Sequence, residues 1–281
     1  MRRVREPAFA GAFYYSSPDA LRAQIEGCFV HELGPGEVPE VGAGPWAGPL
    51  GVISPHAGYQ YSGPTAAWAF RELARAGRPE VAILVGPNHR LPALVNCVED
   101  SGAWRTPLGE SPIAEELARK IAEAAPELTI DNHAQSGEHS LEVQVPFLQF
   151  VFGTELPIVP IMITDHNPRT CVAIGRALAE VAGPGAAYIA SSDMTHFEPA
   201  GAAESKDRAA LRAVEALEPE ELARVVRERA ISMCGVAPAM VVMSALRELG
   251  AKGGTVLSYT HSGMTTGDNS SVVGYAAVAL R

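Results

Sequence analysis

Gly51-Val-Ile-Ser-Pro-His-Ala-Gly-Tyr-Gln-Tyr-Ser-Gly63 is the stretch whose reading decides the fold of this chain. Leu50 to Ser54 is a short, largely β-branched apolar run of the kind that fills a buried strand. Pro55 has no N–H to give to a ladder, so the strand ends there and His56 falls just beyond it. Open α/β sheets place their ligands at that C-terminal end. Gly58 and Gly63 permit tight turns, Tyr59 and Tyr61 offer aromatic walls, and Pro64 suits the first position of a helix reaching Ala76. A histidine in such a loop serves equally well as a hydrogen-bonded structural residue. Repetition gives this one weight.

The same device occurs twice more. Val81 to Val85 is a second apolar run, and Gly86-Pro-Asn-His89 follows it. Strand, helix, strand with about a dozen helical residues between them is a βαβ unit, which makes the two strands parallel and puts His56 and His89 on one side of the sheet. Ala186 to Ala190 is a third run, leading into Ser191-Ser-Asp-Met-Thr-His196. Asp193 and His196 are the candidate acid/base pair of a catalytic cleft there. Leu156 to Ile163 adds a fourth buried strand. The expected architecture is α/β: one domain over residues 1–281, with a mainly parallel central sheet flanked by helices.

The remaining elements fit around that core. Residues 5–15 hold Phe9, Phe13, Tyr14 and Tyr15 and read as an extended arm packed on the body, either covering a core edge or walling a site. Pro18 to Val30 reads as a helix capped by Ser17, and residues 34–49, rich in Pro and Gly, as a loop. A strand is expected within 93–98 and a helix from Ser111-Pro112 to about Ala124. The polar run Asp131 to Gln144 leads into a helix in which His139 and Glu142 are three apart and share a face. There Glu138 is read as a cap, and the His–carboxylate pair as support for a metal or substrate. Helices are expected over 167–181, 201–217, 219–229 and 236–249, and strands near 254–260 and 271–280. Cys234 precedes the last of these helices, where the positive dipole end favours thiolate, although a buried inert thiol is the commoner fate.

Composition narrows the function. A net charge of −10 over 281 residues, with no dense basic run, argues against binding nucleic acid. No apolar run reaches the roughly 18 residues of a membrane span, and Glu6-Pro7 interrupts the basic start before any signal core, so a cytoplasmic location is expected. Cys28, Cys97, Cys171 and Cys234 are widely spaced with no C-x-x-C pair, which signals neither a disulfide framework nor a zinc ribbon.

R-E-P-A-F-A-G-A-F-Y, S-P-H-A-G-Y-Q-Y-S-G, G-P-N-H, E-H-S-L-E-V-Q-V-P-F, S-S-D-M-T-H-F and M-C-G-V-A-P occur in that order. Together they resemble the Memo family, known in prokaryotes as AmmeMemoRadiSam system protein B. The resemblance runs from Arg5 to the last strand. It implies a fold similar to class III extradiol dioxygenases, which use non-haem iron(II), and metal-site residues at His56, His89 and Cys234. It implies also that Asp193 and His196 share that cleft and that Phe13 stands where animal members carry Trp. From the reading of the residues themselves, Tyr59, His139 and Glu142 are expected with Phe13 in the substrate pocket. The system's name further implies a radical SAM protein and an AMMECR-type protein as partners.

Dioxygenases of that class hold iron with two His and one carboxylate, whereas the matching third position here is a cysteine. A thiolate favours copper(I), zinc or a redox-active iron site, and Glu142 or Asp193 stands as the carboxylate alternative. Dioxygenase activity does not follow from the fold. Two function classes result: a metal-dependent redox protein, with iron or copper, acting on a small molecule, and a binding or signalling module that recognises a peptide or protein through an old catalytic pocket.

Overall fold

Five apolar stretches build the centre of the molecule, and the computed structural model, which describes residues 3–90 and 95–281, shows how they are joined. In chain order come β1 (Val4–Arg5), α1 (Pro18–Val30), β2 (Leu50–Ser54), α2 (Tyr59–Arg75) and β3 (Val81–Pro87). Next are β4 (Cys97–Val98), β5 (Ala103–Thr106), β6 (Gly109–Pro112), α3 (Glu115–Ala124), β7 (Thr129–Ile130), α4 (Gln144–Phe152) and β8 (Ile158–Ile163). The rest runs α5 (Pro168–Ala182), β9 (Ala186–Ser191), β10 (His196–Glu198), α6 (Ala200–Glu215) and α7 (Pro219–Glu228). It closes with α8 (Val236–Glu248), β11 (Gly254–His261), α9 (Gly263–Thr266) and β12 (Val272–Leu280).

The four central strands are parallel, in the order β2-β9-β3-β8. Every residue of all four is buried, as expected for strands covered on both faces by helices. β12 extends the sheet antiparallel to β2 and carries β10 and β11, while β4 lies antiparallel on β8 and brings β7. A separate three-stranded sheet, β1-β5-β6, ties the N-terminal arm to the body. The buried apolar side chains form one continuous cluster from Phe9 to Leu280.

Register sets the site. Ser54 pairs with Ser191, Val85 with Ala190, and Pro87 with Ile163, so the C-terminal ends of neighbouring strands lie nearly level. His56, His89 and Asp193 each follow two residues after a strand ends.

Three expected boundaries move, each for a physical reason. α2 begins at Tyr59 rather than Pro64, because Gly58 makes the turn and the Ser62 hydroxyl donates to the Ala57 carbonyl (2.8 Å). Pro64 then lies inside the helix at the loss of one backbone hydrogen bond. α4 begins at Gln144 rather than near Glu138; Pro146 then falls in its first turn, where a missing N–H costs little. Residues 138–139 are irregular and 140–143 are turn, so His139 and Glu142 are not stacked on one helical face. Ser111-Pro112 closes the β5–β6 hairpin instead of capping α3, which starts at Glu115. Of the strand expected within 93–98, Cys97 and Val98 form β4, and residues 93 and 94 lie outside the described residues. No helix among the described residues is long and apolar enough to cross a membrane.

Helices α5 and α8 cross with almost no space at Gly175. A Cβ there would meet the Val241 carbonyl oxygen at 2.5 Å and the Ser244 Cβ at 2.6 Å. Gly175→Ala should therefore overpack the crossing and cost about 1–3 kcal/mol. The check is a lowered urea midpoint with an unchanged m value.

Candidate metal centre

His56 is fixed from two sides. Its backbone N–H donates to Asp193 Oδ1 (2.7 Å), which joins the loop after β2 to the loop after β9. Its ring Nδ1 lies 2.9 Å from Ser191 Oγ. The Ser191 hydroxyl donates its only proton to the Ser140 carbonyl (2.6 Å) and accepts from Gln144 Nε2 (2.9 Å). It can therefore only accept from His56, and the network assigns the ring proton to Nδ1. The lone pair of Nε2 then faces Cys234 Sγ at 3.2 Å.

His89 is oriented in the same sense by a carboxylate. Glu138 accepts the His89 backbone N–H at Oε2 (2.6 Å) and the ring Nδ1–H at Oε1 (2.9 Å), and it also accepts the Ser140 N–H (2.8 Å). Burial pushes the Glu138 carboxyl up, but the bonds from His89 and Ser140 outweigh it and hold the group down to about 2. An ionised Glu138 fixes the proton on Nδ1 and leaves Nε2 of His89 as a free donor atom. The rings of His56 and His89 meet edge to face, centroids 5.1 Å apart. One ligand atom from each of His56, His89 and Cys234 falls within 4.8 Å of the others.

Cys234 precedes α8, as the sequence indicates. Burial, and then the Asp193 carboxylate, push its thiol above its ordinary value, against the expected thiolate. The Asp193 N–H points at its sulfur (3.2 Å). Cys28, Cys97 and Cys171 are buried, whereas Cys234 is partly exposed. Burial likewise pushes His56 down, assisted by the neighbouring imidazoles of His139, His89 and His196. Asp193 is raised to about 6, by burial working against the N–H donors of His56 and Ala57.

A cleft of about 540 Å³ opens beside these groups, lined among others by Phe13, Tyr61, His139, Asp193, His196 and Tyr275. His139 stacks on His89 (4.6 Å between centroids), stands edge-on to His56 (5.3 Å) and touches Phe13 (4.8 Å). Its pKa is lowered to about 4, with burial the main cause. His196 hangs from Ser232, with its N–H on Oγ (2.7 Å) and its Nδ1 at the carbonyl (2.9 Å). Asp193 and His196 thus share the cleft without a hydrogen bond between them among the described residues.

Two residues expected in the pocket lie elsewhere. Tyr59 is in the core: its hydroxyl donates to the Val143 carbonyl (2.6 Å) and its ring packs on Tyr14 and Phe147. Because α2 begins at Tyr59, the cleft wall falls to Tyr61. Glu142 is no ligand either. It forms an ion pair with Arg5 (2.7 Å) and accepts from the N–H groups of Ala8 and Phe9 and the Tyr14 hydroxyl. The carboxylate beside the imidazoles is Glu138, which the sequence offers only as a cap. Its adjacency to His139 is the one signal that it bears on the site.

A family model described as Memo-like protein matches residues 5–279. The chain belongs to the Memo family. It is 43% identical over 281 residues to a MEMO1 family protein of Methanopyrus kandleri, covering 99% of both chains. It is 40% identical to one of Aeropyrum pernix, over 99% of this chain and 100% of that one. Among solved structures, an uncharacterized protein of Escherichia coli K12 superposes with a TM-score of 0.58 at 16% identity, over 83% of this chain and 99% of the other. At that identity the likeness concerns the fold alone.

In this Memo family chain the Arg5–Glu142 pair is 1% exposed on both sides. Glu142→Ala would leave a guanidinium buried and unpaired, a change that costs about 3–5 kcal/mol. Denaturant unfolding should show that loss. Metal content of the fraction that remains folded should be unchanged.

Proposed function

We propose that the chain is a metal-dependent redox protein in which His56, His89 and Cys234 hold an iron or copper ion beside the cleft, where a small molecule reacts. One observation carries this reading: two imidazole nitrogens and a thiol sulfur lie within 4.8 Å of one another while the second nitrogen of each imidazole is already committed, to Ser191 and to Glu138. That is how protein ligands to metals are commonly oriented. The donor set fits the ions named, since imidazole suits iron, copper and zinc, and thiolate selects copper(I), zinc or a redox-active iron. When bound, iron or copper supplies one-electron redox chemistry and a Lewis-acid position at the cleft.

The chain's own part is to orient and to shield. Ser191 and Glu138 hold the Nδ1 protons, so that both Nε2 lone pairs are presented. The Cys234 thiol gives up its proton on ligation, which couples metal uptake to proton release. Phe13 and His139 wall the cleft and limit water at the reacting end.

Metal analysis of protein purified without chelator tests the reading. Wild type should carry close to one iron or copper per chain, and His56→Ala and His89→Ala should carry almost none while keeping the far-UV CD of wild type. Cys234→Ser should lose copper(I) affinity far beyond any change in Tm. Full occupancy in both histidine variants would reject the assignment. Glu138→Gln, which keeps shape but removes charge behind His89, should weaken metal binding by roughly 10–100-fold. A competitive chelator titration measures that shift.

A further inference from the structure

We infer that the cleft beside the metal residues is selective for a small organic cation with an apolar or aromatic body. The inference rests on the proposed function only for the site's location, because the argument comes from the cleft wall. Two carboxylates line it: Asp193, 4% exposed, and Asp268, exposed. Phe13, Tyr61 and Tyr275 add aromatic rings, and no lysine or arginine is among the residues lining it. Arg90, next in the chain to His89, has its guanidinium over the Phe9 ring, 5.2 Å from the centroid, and does not line the cleft. Lys206 is held by Glu198 and the Ala230 carbonyl.

This wall has consequences for selectivity. With no metal bound, a carboxylate or phosphate ligand would meet no lysine or arginine among the described residues of the lining, only the imidazoles of His139 and His196, and would face two carboxylates in a chain of net charge −10. Burying a charge without a partner is costly, whereas a cation meets opposite charge in the cleft wall. Aromatic faces add to the preference, since a ring's negative face attracts cations. A cleft of about 540 Å³ is of a size that encloses a small organic molecule. Asp268 is set for the role, since its Oδ1 accepts from both the backbone N–H (2.9 Å) and the hydroxyl (2.6 Å) of Ser270, which hold the side chain in place.

Three probes of one shape separate the possibilities: benzylammonium, benzyl alcohol and benzylphosphonate, titrated calorimetrically at neutral pH and low salt into chelator-treated wild type. Its metal content is measured before and after treatment, so that ligation of the phosphonate to an ion is not read as binding to the wall. Benzylammonium should bind about tenfold tighter than the alcohol, and the phosphonate more weakly than either. The preference should shrink as salt rises. Asp268→Asn, an exposed change that leaves the fold intact, should lower benzylammonium affinity a few-fold and leave the alcohol unaffected. Asp193→Asn should remove most of the preference. Equal binding of ammonium and alcohol, or tighter binding of the phosphonate, would overturn the inference. Cation selectivity in a protein that takes up no metal would instead remove the redox reading and leave this one standing.

Discussion

The register of four parallel strands is the constraint on which everything else in this molecule depends. Ser54 lies beside Ser191 and Val85 beside Ala190, so the peptides that follow emerge at one height. A slip of one residue in β2 would turn its buried side chains to the opposite face and carry His56 away from Asp193 and Cys234. The strands are buried throughout and rich in Val, Ile, Leu and Ala, with Gly51 held against the Tyr188 carbonyl and Leu246. A Cβ on Gly51 would come within 2.9 Å of that carbonyl oxygen. The core therefore specifies the register, and the register specifies the site.

A second layer of order comes from polar groups that apolar packing could not place. Arg5 donates to the carbonyls of Gln135 and Glu138 and pairs with Glu142, with its guanidinium over Trp104. It thereby stitches the N-terminal arm to the segment that carries Glu138 and His139. Replacing a buried ion pair with apolar side chains often leaves stability unchanged or improved, so stability alone is a weak account of why one stands here. Its geometric effect is on the arm, where Phe9 and Phe13 lie against His139.

Much of this was legible in the sequence, and the parts that were not share a cause. Strand ends were readable because the apolar runs ahead of His56, His89 and Asp193 stop at or just before a proline or serine, and parallel strands bring such ends together. The grouping of His56, His89 and Cys234 followed from that logic and from the Memo resemblance. Glu142 and Tyr59 were misplaced because both arguments relied on where a helix begins. Helical spacing put Glu142 beside His139, but the segment is a series of turns, and turns aim neighbouring side chains by local hydrogen bonds rather than by period. Ser191 escaped notice for another reason. As the last residue of a buried strand it looks like a small polar terminus, and only the geometry shows its hydroxyl accepting from two donors while it donates to Ser140.

The state of Cys234 joins these strands of argument. Its thiol is raised by burial and by the nearby Asp193 carboxylate. Taken alone, that environment resists forming a thiolate. The imidazole nitrogen 3.2 Å away is fixed as an acceptor by the hydrogen-bond chain through Ser191. The thiol proton accordingly has a partner in the ion-free state, and a cation entering the group would displace it. Gly235 makes this arrangement possible: a Cβ at that position would come within 2.4 Å of the Ser191 carbonyl oxygen, and its N–H donates to the Ser192 hydroxyl (3.0 Å). The chain after Cys234 thus runs directly against the end of β9, and the sulfur is held at the same strand ends that position the histidines.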